Sequence, residues 1–228
     1  MKKQIRKSIF ETNSSSMHAI TVTSKKPNVG SPDWLQIEFV TGEFGWSHTI
    51  YCDMKDKASY LWTAIVQNFI KEYIPSKYNK KGKCIKEGYI ILDTKNPEYI
   101  KRREAIRTAL VNFGMDDDGW NIQFEEDFNK EYSGPSSGGY IDHCPELDFV
   151  DALVFNEDRL IRFLFNDASR ITTWNDNEWY VEDEVEEALE NEYWDPIKEE
   201  YKEGYYEMDN WSHFDLPKDT EWKYLKGN

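Results

Sequence analysis

The stretch Phe10–Ile20, FETNSSSMHAI, and the Thr21-Val22-Thr23 that follows it decide how the chain begins to fold. From Met17 the sequence reads as a strand. Ile20 and Val22 alternate with Thr21 and Thr23, the period of a strand with one buried face. The preceding TNSSS has turn chemistry, because Asn and Ser side chains bond to nearby backbone groups. Residues 4–11 read as a further strand, so the stretch predicts the connection of a β-hairpin or of two neighbouring strands.

The same loop admits three chemical readings. Ser14, Ser15 or Ser16 could be a nucleophile with His18 as base and Glu11 orienting the imidazole, the order a serine hydrolase needs. Ser16 and His18 share a face only if the strand already begins at Ser16, and no Gly-x-Ser-x-Gly elbow is present. Alternatively, successive N–H groups and hydroxyls could form an anion nest, with Arg6, Lys7 and His18 supplying charge for a nucleotide, an ADP-ribose-like group or a phosphate. The third reading is a structural turn whose hydroxyls satisfy the backbone. The candidate ligand-binding set is Arg6, Glu11, Asn13, Ser14, Ser15, Ser16 and His18. No residue is assigned as catalytic, and no cofactor is expected.

Working outward, Leu35, Ile37 and Phe39 alternate within DWLQIEFV. WSHTIYCD follows the Gly42–Gly45 turn, which predicts a second hairpin. A wide apolar stripe predicts a helix from about Lys57 to Ile74, ended by Pro75. KYNKKGKCIKEG reads as a basic loop and YIILD as a short buried strand. Asn96-Pro97 is a helix start, with Asn as N-cap and Pro at the first helical position, and Gly114 is its stop. On that helix Ile100, Ile106, Leu110 and Phe113 are expected inside, and Lys101, Arg102, Arg103 and Arg107 outside.

WNIQFEED predicts a strand, and SGPSSGG at 133–139 a loop that could separate subdomains. FVDALVFN is apolar, and Asn156 caps a short helix over Glu157 to Phe165. SRITTWNDNEWYV reads as two strand pieces around Asn175-Asp176-Asn177. Residues Glu182 to about Glu203 predict an acidic helix interrupted at Pro196. The tail WSHFDLPKDTEWKYL is expected to pack against the body. Antiparallel strands and helices that do not alternate strictly imply an α+β fold. The reading is a single α+β domain over 1–228, with 133–139 as the place for a subdomain boundary.

The 228 residues are enough for a sizeable core, and 9 Trp, 14 Tyr and 12 Phe argue against a disordered chain. Three scattered cysteines form no disulfide framework, which points to a reducing compartment. Without a signal-peptide h-region, or a run near the ~20 apolar residues that span a bilayer, the expected protein is soluble and cytoplasmic, with no membrane partner. Net charge is −15 and unevenly placed: residues 1–110 carry 19 Lys/Arg against 11 Asp/Glu, and residues 111–228 carry 9 against 32. So acidic a chain is a poor general binder of duplex nucleic acid, which requires phosphate neutralisation.

Asp142-His143-Cys144 places three ligand types in a row, but neighbours on a strand point to opposite faces, and no second pair has zinc spacing. The DDDG at 116–119 lacks the spacing of a calcium loop and reads as a solvated acidic turn. The stretch Asp176–Asp209 holds 15 Asp/Glu against Lys198 and Lys202. Seven aromatics are interleaved with those acids. Plain solubility is one explanation. Imitation of nucleic-acid charge is the other, with carboxylates in place of phosphates and aromatic anchors for a partner. The partner-binding candidates are Glu182, Glu186, Glu187, Glu190, Tyr193 and Trp194.

The stretches IRKSIFETNSSSMHAI and RFLFNDASRITTWNDN resemble a group of uncharacterised proteins from phages and Gram-positive bacteria that begin with an FETNSSSxH-like motif. The resemblance covers about forty residues, mainly at the N-terminus. It implies a phage or prophage setting, hence the host cytoplasm, and brings no mechanism. The expected function is a phage or prophage accessory binding protein. Its acidic C-terminal half would dock on a basic surface of a host protein, a nucleic-acid-handling or defence enzyme. The alternative is a nucleotide- or ADP-ribose-handling protein or enzyme centred on residues 13–18.

Overall fold

The strand that opens at Ser16 is the centre of the largest sheet. The computed structural model describes residues 16–30, 32–45, 48–86, 88–128, 132–133, 139–142, 147–175, 194–195, 200–201 and 217–226. In chain order the elements are β1 (Ser16–Thr23), β2 (Ile37–Phe39), β3 (Glu43–Phe44), β4 (Thr49–Tyr51), α1 (Met54–Asn68), β5 (Ile70–Ile74), β6 (Lys77–Tyr78), β7 (Cys84–Lys86), β8 (Tyr89–Leu92), α2 (Pro97–Phe113), β9 (Ile122–Phe124), α3 (Glu125–Phe128), β10 (Tyr132–Ser133), β11 (Tyr140–Ile141), α4 (Leu147–Val154), α5 (Glu157–Phe165), β12 (Arg170–Asn175), β13 (Trp194–Asp195), β14 (Glu200–Tyr201) and β15 (Thr220–Lys226). The fold is α+β.

The main sheet has the order β15-β1-β12-β4, all neighbours antiparallel. Residues 18–23 of β1 are buried without interruption, as expected for a strand with neighbours on both sides. The expected strand at residues 4–11 and its turn lie outside the described residues. β1 is instead joined to strands from the other end of the chain. The tail packs as expected, since β15 pairs with β1 from His18↔Lys226 to Thr23↔Thr220.

One hydrophobic cluster gathers Ile20 and Val22 from β1, Tyr60 to Val66 of α1, Ile106 and Leu110 of α2, and the inner faces of α4 and α5. Its members come from both sides of 133–139. Residues 134–138 of that stretch lie outside the described residues. Phe39 stacks on Phe124 at 4.9 Å and Trp62 tilts against Phe124 at 4.9 Å, so aromatic rings make up part of the core.

Several expectations are corrected. β2 does not form a hairpin with β4. It pairs in parallel with β9, and β4 pairs with β12. The helix α1 ends at Asn68, well short of Pro75, with Phe69 as its C-cap. Ile70–Ile74 is β5 and pairs with β8, so tertiary pairing overrides an apolar spacing that also suits a helix. The basic stretch from Lys77 is a two-stranded hairpin of β6 and β7 rather than a loop. At residues 194–195 and 200–201 the expected acidic helix gives way to an antiparallel pair, Trp194↔Tyr201 and Asp195↔Glu200. Pro196 removes a helical donor there, and the flanking aromatics favour strand.

The ends of α2 behave as expected. The Asn96 side chain accepts from the Glu98 N–H, Pro97 opens the helix, and Gly114 closes it at φ 108 in the left-handed region. Its faces differ from expectation: Ile100 is 44% exposed, whereas Arg102 is 5% exposed. Asp151 of α4 accounts for this, accepting from Arg102 Nε at 2.7 Å and Nη2 at 2.8 Å. A fixed two-pronged ion pair lets a guanidinium take a core position that an aliphatic side chain would otherwise fill.

Candidate functional site

Among the described residues, the opening motif delivers one polar side chain into the interior, His18. β1 begins at Ser16, the condition under which Ser16 and His18 can share a face. The imidazole is fully buried. Its Nδ1 lies 3.0 Å from the Tyr60 hydroxyl of α1, and its Nε2 lies 2.8 Å from the backbone oxygen of Asp142. Nε2 therefore donates to the carbonyl, and Nδ1 is within hydrogen-bond distance of the phenol.

The surroundings of His18 are equally tight. Gly45, at φ 96, lets its loop pass so close that an added Cβ would sit 3.0 Å from both His18 Cε1 and Asp142 Cβ. Tyr140 donates to Asp142 Oδ1 at 3.3 Å, and burial together with the Asp142 carboxylate pushes the Tyr140 phenol pKa up. Both ring nitrogens of His18 are thus engaged by protein groups, and a base needs one of them facing its substrate. With both ring nitrogens on protein groups, His18 ties β1 to α1 and to the residue that follows β11. Arg6, Glu11, Asn13, Ser14 and Ser15 lie outside the described residues, and Ser16 pairs with Asn175 at the start of β1.

Glu182, Glu186, Glu187, Glu190 and Tyr193 also lie outside the described residues, and Trp194 is in β13. The structure does fix where the acidic stretch is anchored. β12 and β15 flank β1 and both run antiparallel to it, so they are parallel to each other. The chain leaves β12 at Asn175, beside Ser16, and re-enters the sheet at Thr220, beside Thr23. These anchors lie at opposite ends of β1, ~23 Å apart at the rise of a strand. Residues 176–216 between them hold 16 Asp/Glu and 2 Lys, whereas the rest of the chain holds 27 Asp/Glu and 26 Lys/Arg. Almost the whole net charge therefore sits in one insertion between two strands of the central sheet.

Three polar features were not legible in the sequence. Lys57, at the start of α1, is fully buried; its Nζ donates to the Asn166 oxygen at 2.9 Å and the Ser169 oxygen at 3.1 Å. Burial pushes its ammonium pKa down to about 8. Arg162 of α5 is held by Asp158 at 2.8 Å and by Glu221 of β15 through both guanidinium arms, and Glu221 is correspondingly held below the usual carboxylate range. The third is the lysine hairpin of β6 and β7.

The Asp116–Gly119 turn is built as expected. Asp118 accepts from the Trp120 and Asn121 N–H groups, and these backbone bonds lower its carboxyl pKa. Among the described residues no three His, Cys, Asp or Glu side chains lie where they could hold a metal ion. Asp142 is buried beside His18, while His143 and Cys144 lie outside the described residues; Cys52 and Cys84 are free thiols. Nor, among the described residues, is any helix long and apolar enough to cross a membrane. Comparison with family models, with curated proteins and with solved structures finds no match.

Proposed function

We propose that this is a binding protein whose acidic C-terminal half docks on a basic surface of another protein. The observation that carries the reading is the partition of charge. A nearly neutral remainder of the chain surrounds an insertion, residues 176–216, with 16 Asp/Glu against 2 Lys. Concentrating like charge in one segment costs stability through self-repulsion and raises the rate of encounter with a cationic partner. Carboxylates interleaved with Trp and Tyr imitate the charge of a nucleic acid while offering aromatic anchors to a protein. A nucleic-acid-handling or defence enzyme is the partner class that such mimicry fits. The resemblance of the FETNSSSMH stretch to phage and Gram-positive proteins supports reading it as a phage or prophage accessory factor that acts in the host cytoplasm. The engagement of both His18 nitrogens within the core weighs against a Ser–His enzyme.

The test is capture of partners from the native host by wild-type protein and by the Glu186→Lys, Glu187→Lys, Glu190→Lys triple variant, over a salt series. Binding should weaken with salt and fall about tenfold or more in the variant. An association indifferent to both would sink the reading. In parallel, nucleotides and ADP-ribose should leave the melting temperature unchanged. A ligand-dependent rise, lost in Arg6→Ala and in Ser15→Ala, would move the assignment to the loop at 13–18.

A further inference from the structure

We infer that the lysine hairpin of β6 and β7 is a docking surface for the acidic segment 176–216 of the same chain. This rests on the reading of that segment as a docking element and adds what occupies it before a partner arrives.

Within the described residues 71–86, six lysines stand against one acid, Glu72, and all six are exposed. Apart from Lys86, whose Nζ lies 5.2 Å from the centre of the Tyr89 ring, these lysines make no ion pair or ring contact among the described residues. The strand register sets Lys77 directly opposite Lys86. Like charges across a ladder destabilise it, and an isolated two-stranded hairpin is marginal in water. The turn is nevertheless well pinned. Asn79 Oδ1 accepts from the Lys81 and Lys83 N–H groups at 2.9 and 3.0 Å, and its own N–H donates to the Lys83 oxygen at 2.9 Å. A locally ordered hairpin that holds like charges together is a built cationic surface.

The hairpin and the strand before it also expose apolar side chains: Tyr73, Tyr78 and Ile85 are 67%, 63% and 65% exposed. A multiply charged anion alone would leave those side chains in water. An occupant that is both acidic and aromatic satisfies both demands, and segment 176–216 interleaves its acids with nine aromatic residues.

Connectivity brings the two together. The segment starts after Asn175, which pairs with Ser16, two residues from His18. His18 touches Asp142, which accepts from Tyr140. Tyr73 lies near enough to oppose ionisation of the Tyr140 hydroxyl, and it stands four residues before the hairpin. Forty residues of extended chain reach far beyond the ~23 Å between the two anchors, so reach does not limit the contact. Tethering raises the local concentration of the segment to about millimolar. A partner that binds the segment must displace the hairpin.

The test is zero-length carbodiimide cross-linking of the full chain, which joins only touching amines and carboxylates, read by peptide mass spectrometry. The expected result is links from Lys77, Lys80, Lys81 or Lys83 to carboxylates of 176–216 within the monomer. Their yield should hold over a roughly hundredfold dilution and fall about fivefold in high salt. Hairpin lysines linked only to carboxylates outside 176–216, or linked to that segment only between copies at high concentration, would overturn the proposal. A Lys77/Lys80/Lys81/Lys83→Gln variant supplies the second arm. Released from the hairpin, the segment should bind its partner several-fold tighter, and unchanged or weaker binding overturns the competition. Intramolecular links in a protein that captures no salt-sensitive partner would leave the docking intact and refute the proposed function alone.

Discussion

The cations of the body and those of the hairpin are used in opposite ways. Arg102 has its guanidinium on Asp151 and Glu98, Arg162 lies on Glu221 and Asp158, and Lys57 sits on two carbonyls. Each fastens one element to another: α2 to α4, α5 to β15, α1 to the loop after α5. The hairpin lysines fasten nothing among the described residues, and two of them, Lys77 and Lys86, are set opposite each other. Buried charge without partners is too costly to persist, so the body pairs its charges. Exposed charge costs little, so its placement is free to serve something other than the fold. Polar groups of the body should therefore respond to substitution through stability, and those of the hairpin through binding.

The strongest test of the first half is His18→Ala. The substitution leaves a cavity and removes the ring that the Tyr60 hydroxyl and the Asp142 carbonyl meet in the interior. A loss of about 3 kcal/mol is expected, measured by urea unfolding. A loss below about 1 kcal/mol would show that the ring is not the tie described here and would reopen a role for it at the loop.

Lys57 gives a smaller effect with a distinctive pH dependence. Its ammonium pKa falls from 10.5 in the unfolded chain to about 8 in the folded one. Below pH 8 both states carry the proton and the burial penalty is constant. Between pH 8 and 10.5 the unfolded state binds more proton than the native state, so stability rises with pH. Relative to Lys57→Met, the wild type should gain about 2 kcal/mol across that window, the two carbonyls that hold the ammonium limiting the amount. Urea midpoints of both proteins at pH 7, 9 and 10.5 measure it, and parallel pH profiles would break the claim.

What the sequence revealed follows the range of the interactions. The caps of α2 and α5 were legible at Asn96, Gly114 and Asn156, because a cap is written within a few residues of where it acts. Strand β8 was legible as a short apolar run. The end of α1 was not, because Phe69, Ile70, Tyr73 and Ile74 suit a helical face as well as a strand until β8 arrives to pair with them. Arg102 reads as a surface residue because Asp151 lies 49 positions away, and the buried tie made by His18 is not legible because Asp142 lies 124 positions away. The parallel pairing of β2 with β9 is likewise non-local. At the candidate sites the charge asymmetry was visible in composition, but its confinement between two strands of one sheet needed the topology. The hairpin was missed because a run of lysines around Asn79 and Gly82 reads as a solvated loop, although an Asn side chain that closes a turn on itself is the signal for it.

The smallest expected effect is the one on which the comparison most depends. Replacing Lys77, Lys80, Lys81 and Lys83 by Gln removes four exposed charges that hold no other described element. It also relieves the opposition of Lys77 and Lys86 across the ladder. That relief contributes a few tenths of a kcal/mol in favour of the variant, and loss of a solvent-screened attraction to segment 176–216 offsets it by a similar amount. The net change in unfolding free energy should stay within about 0.5 kcal/mol, and high salt should shrink it further because both contributions are screened. Urea midpoints of variant and wild type, at low and high salt, decide the matter. A destabilisation above about 1.5 kcal/mol that survives high salt would place the hairpin lysines with Arg102 and Lys57 as parts that hold the fold, and the contrast between the two regions would fail.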